Sequence, residues 1–273
     1  MGSFFQLPTY LLFAIIFIVI IFCNGLGYRY KKRQLDKYPG QIHEGMTSME
    51  GSILGVMSLL MGFSFSVAVS KFEARRHLLV EETNVIGTAI LRCDLYPDSI
   101  RTALRADFKK YLEARIAYYQ AKYEEAENQE QMEIAEKVSA NIWKTISSFS
   151  NDPEFRLHSQ QMIPIVNDMI DIINTRDALR ISRVPPLILW TLLSFVLIAA
   201  FLLGSDYKGH KRNVSLVIGY ALVMTLTLNL INELNHPRQG LINLNDVEKK
   251  MEHLRKLVIY KKYDDVLICQ LIY

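Results

Sequence analysis

Cysteine is scarce: the 273-residue chain has three, Cys23, Cys93 and Cys269. That is too few and too scattered for the disulfide framework of a small secreted domain. Charge is scarce too, at 22% of residues with a net of +3, which excludes a strongly basic nucleic-acid binder, while the 50% hydrophobic content excludes a disordered chain. Strand-type alternation is rare. No phosphate loop, GxGxxG, HExxH, CxxC or GxSxG occurs, so neither an enzyme nor a cofactor is expected.

What is present is apolar and clustered. Four runs carry no charge: Leu7 to Cys23, Gly51 to Val69, Pro185 to Gly204 and Val214 to Ile231. A bilayer core of about 30 Å needs about 20 helical residues, and in hydrocarbon every backbone amide must be bonded internally. Each run is therefore expected to be a transmembrane helix. The first is not a typical signal peptide: Met1 to Tyr10 holds no Lys or Arg, and Arg29, Lys31, Lys32, Arg33 and Lys37 follow the apolar stretch, the reverse of the signal-peptide order. The basic loops Arg29–Glu50 and Ser205–Asn213 (Lys208, Lys211, Arg212) fall on one face. The positive-inside rule places them in the cytoplasm and both termini outside it, in a cell (inner) membrane. Lys71, Arg75 and Arg76, just after the second run, argue mildly the other way.

Between the second and third runs, 71–184 holds 16 Lys/Arg and 18 Asp/Glu, a net of −2, with apolar residues recurring at three and four. The second helix is expected to continue to Leu91, burying Leu78, Val85, Ile86 and Ile90. After Tyr96-Pro97, Asp98 is the expected cap of a helix with the stripe Ile100, Leu104, Phe108, Leu112, Ala117 and Tyr119. A further helix is expected over about Gln129 to Phe149, and another from Asp152-Pro153 to about Ser182, kinked at Pro164. The fold class is thus all-α: a membrane protein with four transmembrane helices and a long helical bundle between helices two and three. The organisation reads 1–50, first helix and basic loop; 51–70, second helix; 71–184, helical domain outside the cytoplasm; 185–232, third and fourth helices; 233–273, a tail with a turn at His236-Pro237, a helix from Asn245 and an apolar end.

Glu73, His77 and Glu81 are spaced four apart and share a helical face, the weak candidates for a divalent metal; an exposed ladder of ion pairs is the simpler reading. Cys93 and Cys269 fall on the same expected side of the membrane and pair only if that side is oxidising; two lone thiols are the simpler reading.

The second run is the most informative. Gly51, Gly55, Ser58, Gly62 and Ser66 form a stripe of small residues, which lets membrane helices pack closely. If the helix instead repeats around an axis, another face lines a pore. The candidates are Met57, Met61 and Phe65, or Leu59, Phe63 and Val67, either set making apolar rings that gate by dewetting. Arg75, Arg76 and Glu73 would sit at the mouth. The fourth run carries Tyr220, Thr225, Thr227, Asn229, Asn232 and Glu233; Thr225 and Asn229 either bond a neighbouring helix or face a hydrated cavity.

The stretch Gly51 to Pro97, with GFSFSVAVSKFEARR and VEETNVIGTAILR, resembles the bacterial bestrophin-like domain family, and ELNHPRQGLINL, Glu233 to Leu244, resembles that family's ending after the fourth helix. The similarity to bestrophins proper is more distant. It implies a homo-oligomer, a pentamer by analogy, whose second helix lines an anion pore. No acidic calcium-clasp run occurs in the tail, so calcium gating is not implied.

Three readings follow: a channel for small ions such as anions; a sensory protein working through its helical domain and a partner; or a structural membrane protein without transport. The lipid bilayer is a partner in all three.

Overall fold

In the computed structural model the structure describes residues 4–37, 48–120, 125–181, 184–206, 213–235 and 249–255. Seven helices follow one another: α1 (Thr9–Lys37), α2 (Ser48–Arg92), α3 (Asp98–Gln120), α4 (Glu125–Phe149), α5 (Arg156–Ile181), α6 (Pro186–Ser205) and α7 (Val214–Asn235). A short helical stretch lies at 249–255. Among the described residues there is no strand. The expected basic residues Lys208, Lys211 and Arg212, the His236-Pro237 turn and Cys269 lie outside the described residues.

Helices α1, α2, α6 and α7 are each long and apolar enough to span a bilayer. At 1.5 Å per residue, the 45 residues of α2 make a rod of about 67 Å, roughly twice the hydrocarbon thickness. The expectation that the second run continues beyond the membrane as one helix holds.

The chain divides into two compact units, one from residues 1–72 and 183–243, the other from 73–182 and 244–273. In the first, α1 lies closest to α6. The reason is a reciprocal pair of glycines: a Cβ on Gly27 would fall on the Phe201 carbonyl, and one on Gly204 on the Asn24 carbonyl. Two helix backbones approach there as only glycine permits. The Asn24 amide crosses the same seam and donates to the Ala200 carbonyl at 3.0 Å. Leu12, Ile16, Ile20, Leu192, Val196, Ala199, Ala221, Leu228 and Ile231 make the buried core. Pro186 begins α6, where its missing N–H costs nothing. Asn235 at the end of α7 ties down the preceding segment, its Oδ1 accepting from Val184 N at 2.8 Å and its amide donating back to Val184 O at 3.4 Å.

In the second unit the core is formed by Leu79, Ile86 and Ile90 of α2, Leu104, Phe108, Tyr111 and Leu112 of α3, Ile142 and Ile146 of α4, and Met162, Val166 and Met169 of α5. Met251 and Leu254 of the 249–255 stretch join it, Leu254 reaching toward Gly87. Tyr96 is extended, as a residue before proline must be. Two expected caps are corrected. Asp98 is the first residue of α3 and bonds Arg101 in the first turn. Asp152 accepts from Glu154 N at 3.0 Å in a turn, and α5 starts only at Arg156, with Pro164 inside it.

Candidate pore helix and buried polar clusters

In α2, Met57, Met61 and Ala68 point into the core of their own unit. Leu59, Phe63 and Val67 point out of it and are exposed by 59%, 61% and 48%. Phe65 is also exposed. The set Met57, Met61 and Phe65 therefore does not share a face, because a four-residue step advances a helix by about 40° beyond a full turn. Met57 and Met61 are core residues and Phe65 has rotated out. Leu59, Phe63 and Val67 drift by the same angle, yet all remain outside.

The small-residue stripe is likewise turned outward. A Cβ added to Gly51, Gly55 or Gly62 would meet nothing within 4 Å. Ser58 and Ser66 are exposed, and the Ser58 hydroxyl donates to its own helix at Leu54 O, 2.9 Å away. Among the described residues the three glycines meet no neighbouring helix and the two serines are exposed; a close helix crossing is made by Gly27 and Gly204 instead.

Further along α2, Arg76 and Glu73 form an exposed pair at 3.8 Å, and His77 faces Glu81 at 3.7 Å. Such exposed pairs contribute tenths of a kcal/mol. Arg75 is half-buried. Among the described residues no group of three His, Cys, Asp or Glu could hold a metal ion, so Glu73, His77 and Glu81 do not converge as a ligand set. Cys93 is buried and its thiol donates to Ala89 O at 3.4 Å.

The polar side of α7 faces inward. Tyr220 donates to Val196 O of α6 at 3.0 Å, Asn232 to Phe5 O at 3.1 Å, and the Thr9 hydroxyl to the Glu233 carboxylate. Thr225 and Asn229 are buried, and the Asn229 amide donates to Thr225 O at 2.9 Å. Of the two roles open to this face, the bonds to α1, α6 and the N-terminal segment fit helix-to-helix glue.

One cluster was missed in the sequence. Glu82 of α2 has no exposed surface, and both of its carboxylate oxygens are engaged: Oε1 accepts from Arg115 Nε of α3 at 2.6 Å, and Oε2 from Arg176 Nη1 of α5 at 2.7 Å. Tyr118 stacks beneath both guanidiniums, 5.2 Å and 5.5 Å from its ring centre. Burial works against the charge on Arg115. The Glu82 carboxylate and its hydrogen bond, with smaller contributions from Tyr111 and Tyr118, together outweigh burial and hold the guanidinium charged more firmly than in water. Tyr111, fully buried beside it, has its phenol pushed above the ordinary range, chiefly by burial. A signal for Arg115 was available: the stripe Leu104, Phe108, Tyr111, Leu112 puts residue 115 on the apolar side of α3.

Four apolar spans and a helical bundle placed between the second and third define an all-α, multi-pass membrane protein embedded in a lipid bilayer. The Bestrophin-like domain matches residues 14–248, and the chain belongs to the bestrophin-like family. No curated protein sequence matches it. Its fold is similar to the crystal structure of a bacterial bestrophin homologue from Klebsiella pneumoniae, at 12% identity and TM-score 0.72, covering 91% of this chain and 99% of that one. A single-substitution variant of that homologue aligns at 10% identity and TM-score 0.71 over 91% and 99%. A crystal structure described as a membrane protein variant aligns at 11% identity and TM-score 0.70 over 90% and 98%.

Proposed function

We propose that the protein is a homo-oligomeric ion channel of the bestrophin type, with the exposed face of α2 lining a central pore. The observation that carries this reading is the two-sided character of α2. It is the least buried of the four spans within one chain, and its uncovered side holds both small residues, Gly55 and Gly62, and bulky ones, Leu59, Phe63 and Val67. Lipid alone would not call for a groove of glycines. A second α2 packed into that groove leaves Leu59, Phe63 and Val67 at the axis, where stacked apolar rings make a neck that passes ions only when wetted. The inward α7 face then serves assembly rather than conduction. Arg75, Arg76 and Glu73 flank the mouth with opposite charges; small anions are the proposed permeant species, a pentamer is the proposed assembly, and the proposed topology, supported by the basic loops, has both termini outside the cytoplasm of a cell inner membrane.

Flux from liposomes containing the purified oligomer tests the reading. Chloride release above that of empty vesicles is expected, and Phe63→Ser, which makes the neck easier to wet, is expected to raise it. A well-folded oligomer that passes neither chloride nor sodium contradicts the channel.

A further inference from the structure

The Glu82 cluster sits on the helix proposed to line the pore, a few turns beyond the apolar neck, and Glu82 differs from its neighbours Arg76, His77 and Glu81 on α2. Arg76, His77 and Glu81 are exposed and pair within their own helix. Glu82 is buried and is clamped from two different helices, 33 and 94 residues away in sequence. The α2 backbone approaches α3 and α5 less closely than α3 approaches α4 or α4 approaches α5. Long side chains therefore bridge the gap with directional contacts: Glu82 binds Arg115 and Arg176, and Arg92 donates to the Gln161 carbonyl. Apolar contacts such as Ile86 on its neighbours tolerate a small slide or rotation; a carboxylate held at both oxygens does not. A buried ion cluster adds little net stability over apolar residues of similar size, and its best-attested use is to fix register.

We infer that Glu82 is a positioning residue for α2: by binding Arg115 and Arg176 it fixes the rotation and register of α2 in the helical bundle, and so sets which face α2 presents along its length. The functional part of this inference rests on the channel reading; the positioning part does not. What ties Glu82 to the pore reading is that Leu59 and Phe63 lie on the same helix, α2 (Ser48–Arg92).

The test uses the full-length protein with nitroxide labels at Asn84→Cys on α2 and Lys110→Cys on α3, both exposed, and with Cys23, Cys93 and Cys269 replaced by alanine. Distances by pulsed electron resonance and liposome flux are measured on the same preparations. Glu82→Gln is expected to shift or broaden the α2–α3 distance and to change flux by about fivefold or more, while Glu82→Asp retains part of the wild-type behaviour. If Glu82→Gln fails to fold, the combined Glu82→Met, Arg115→Met, Arg176→Met variant decides, since it leaves none of these three charges buried opposite a neutral partner within the cluster. A folded triple variant with a broadened distance supports positioning; one with the wild-type distance overturns it. If the wild-type protein passes no ions, the channel reading falls while the distances still judge the role of Glu82. A shifted distance with unchanged flux overturns the link to the pore.

Discussion

A carboxylate with no exposed surface is tolerable only when its charge is answered, and Glu82 is answered twice, by Arg115 and Arg176. Removing one answer is more harmful than removing all three charges. Arg115→Met is expected to cost about 3–5 kcal/mol, and the triple methionine variant is expected to be less destabilised than that single variant; denaturant or thermal unfolding in detergent distinguishes them. Tyr111 makes the opposite case. Its hydroxyl is buried and has no hydrogen-bond partner among the described residues, so Tyr111→Phe is expected to change stability at neutral pH by no more than about 1 kcal/mol. The same residue gives a pH dependence. Its phenol is raised in the folded chain, so its contribution is intact below the ordinary tyrosine value of about 10 and is lost as pH rises above it, when the unfolded chain ionises first. Alkaline unfolding should be less steep in Tyr111→Phe than in the wild type; identical profiles would refute this.

At the scale of elements, the four spans and the bundle helices were legible because apolar runs and helical periodicity are local signals. The length of α2 was legible too, since nothing between Gly51 and Leu91 breaks a helix. Which face of α2 points inward was not, because an uncharged span of apolar and small residues has no charged side to orient it; hence Met57 and Met61 stood beside Phe65 as equals until packing separated them. The glycines mislead in the same way. Gly51, Gly55 and Gly62 form the conspicuous stripe, while the close crossing is made by Gly27 and Gly204, which share no stripe because each lies on a different helix. Gly27→Ala or Gly204→Ala is expected to force α1 and α6 apart at a cost of about 1–3 kcal/mol, seen as a lower melting temperature. Gly55→Ala and Gly62→Ala, with open space around them in one chain, should leave the fold of the single chain intact.

At the scale of the whole molecule, the family and the four-span architecture were readable from sequence, whereas the proposed assembly rests on the outward face of α2. That face predicts self-association through α2. Gly62→Leu fills the groove from outside, so it is expected to lower the oligomer mass in light scattering while helicity stays unchanged. The most direct measurement is oxidative cross-linking in membranes of Phe63→Cys, with Cys23, Cys93 and Cys269 replaced by alanine. If α2 rings a common axis, Phe63→Cys cross-links to its copies and gives species above the single chain, while the same substitution at buried Ile20 gives none. Single chains alone, from a Phe63→Cys thiol that still reacts with maleimide, would contradict the account.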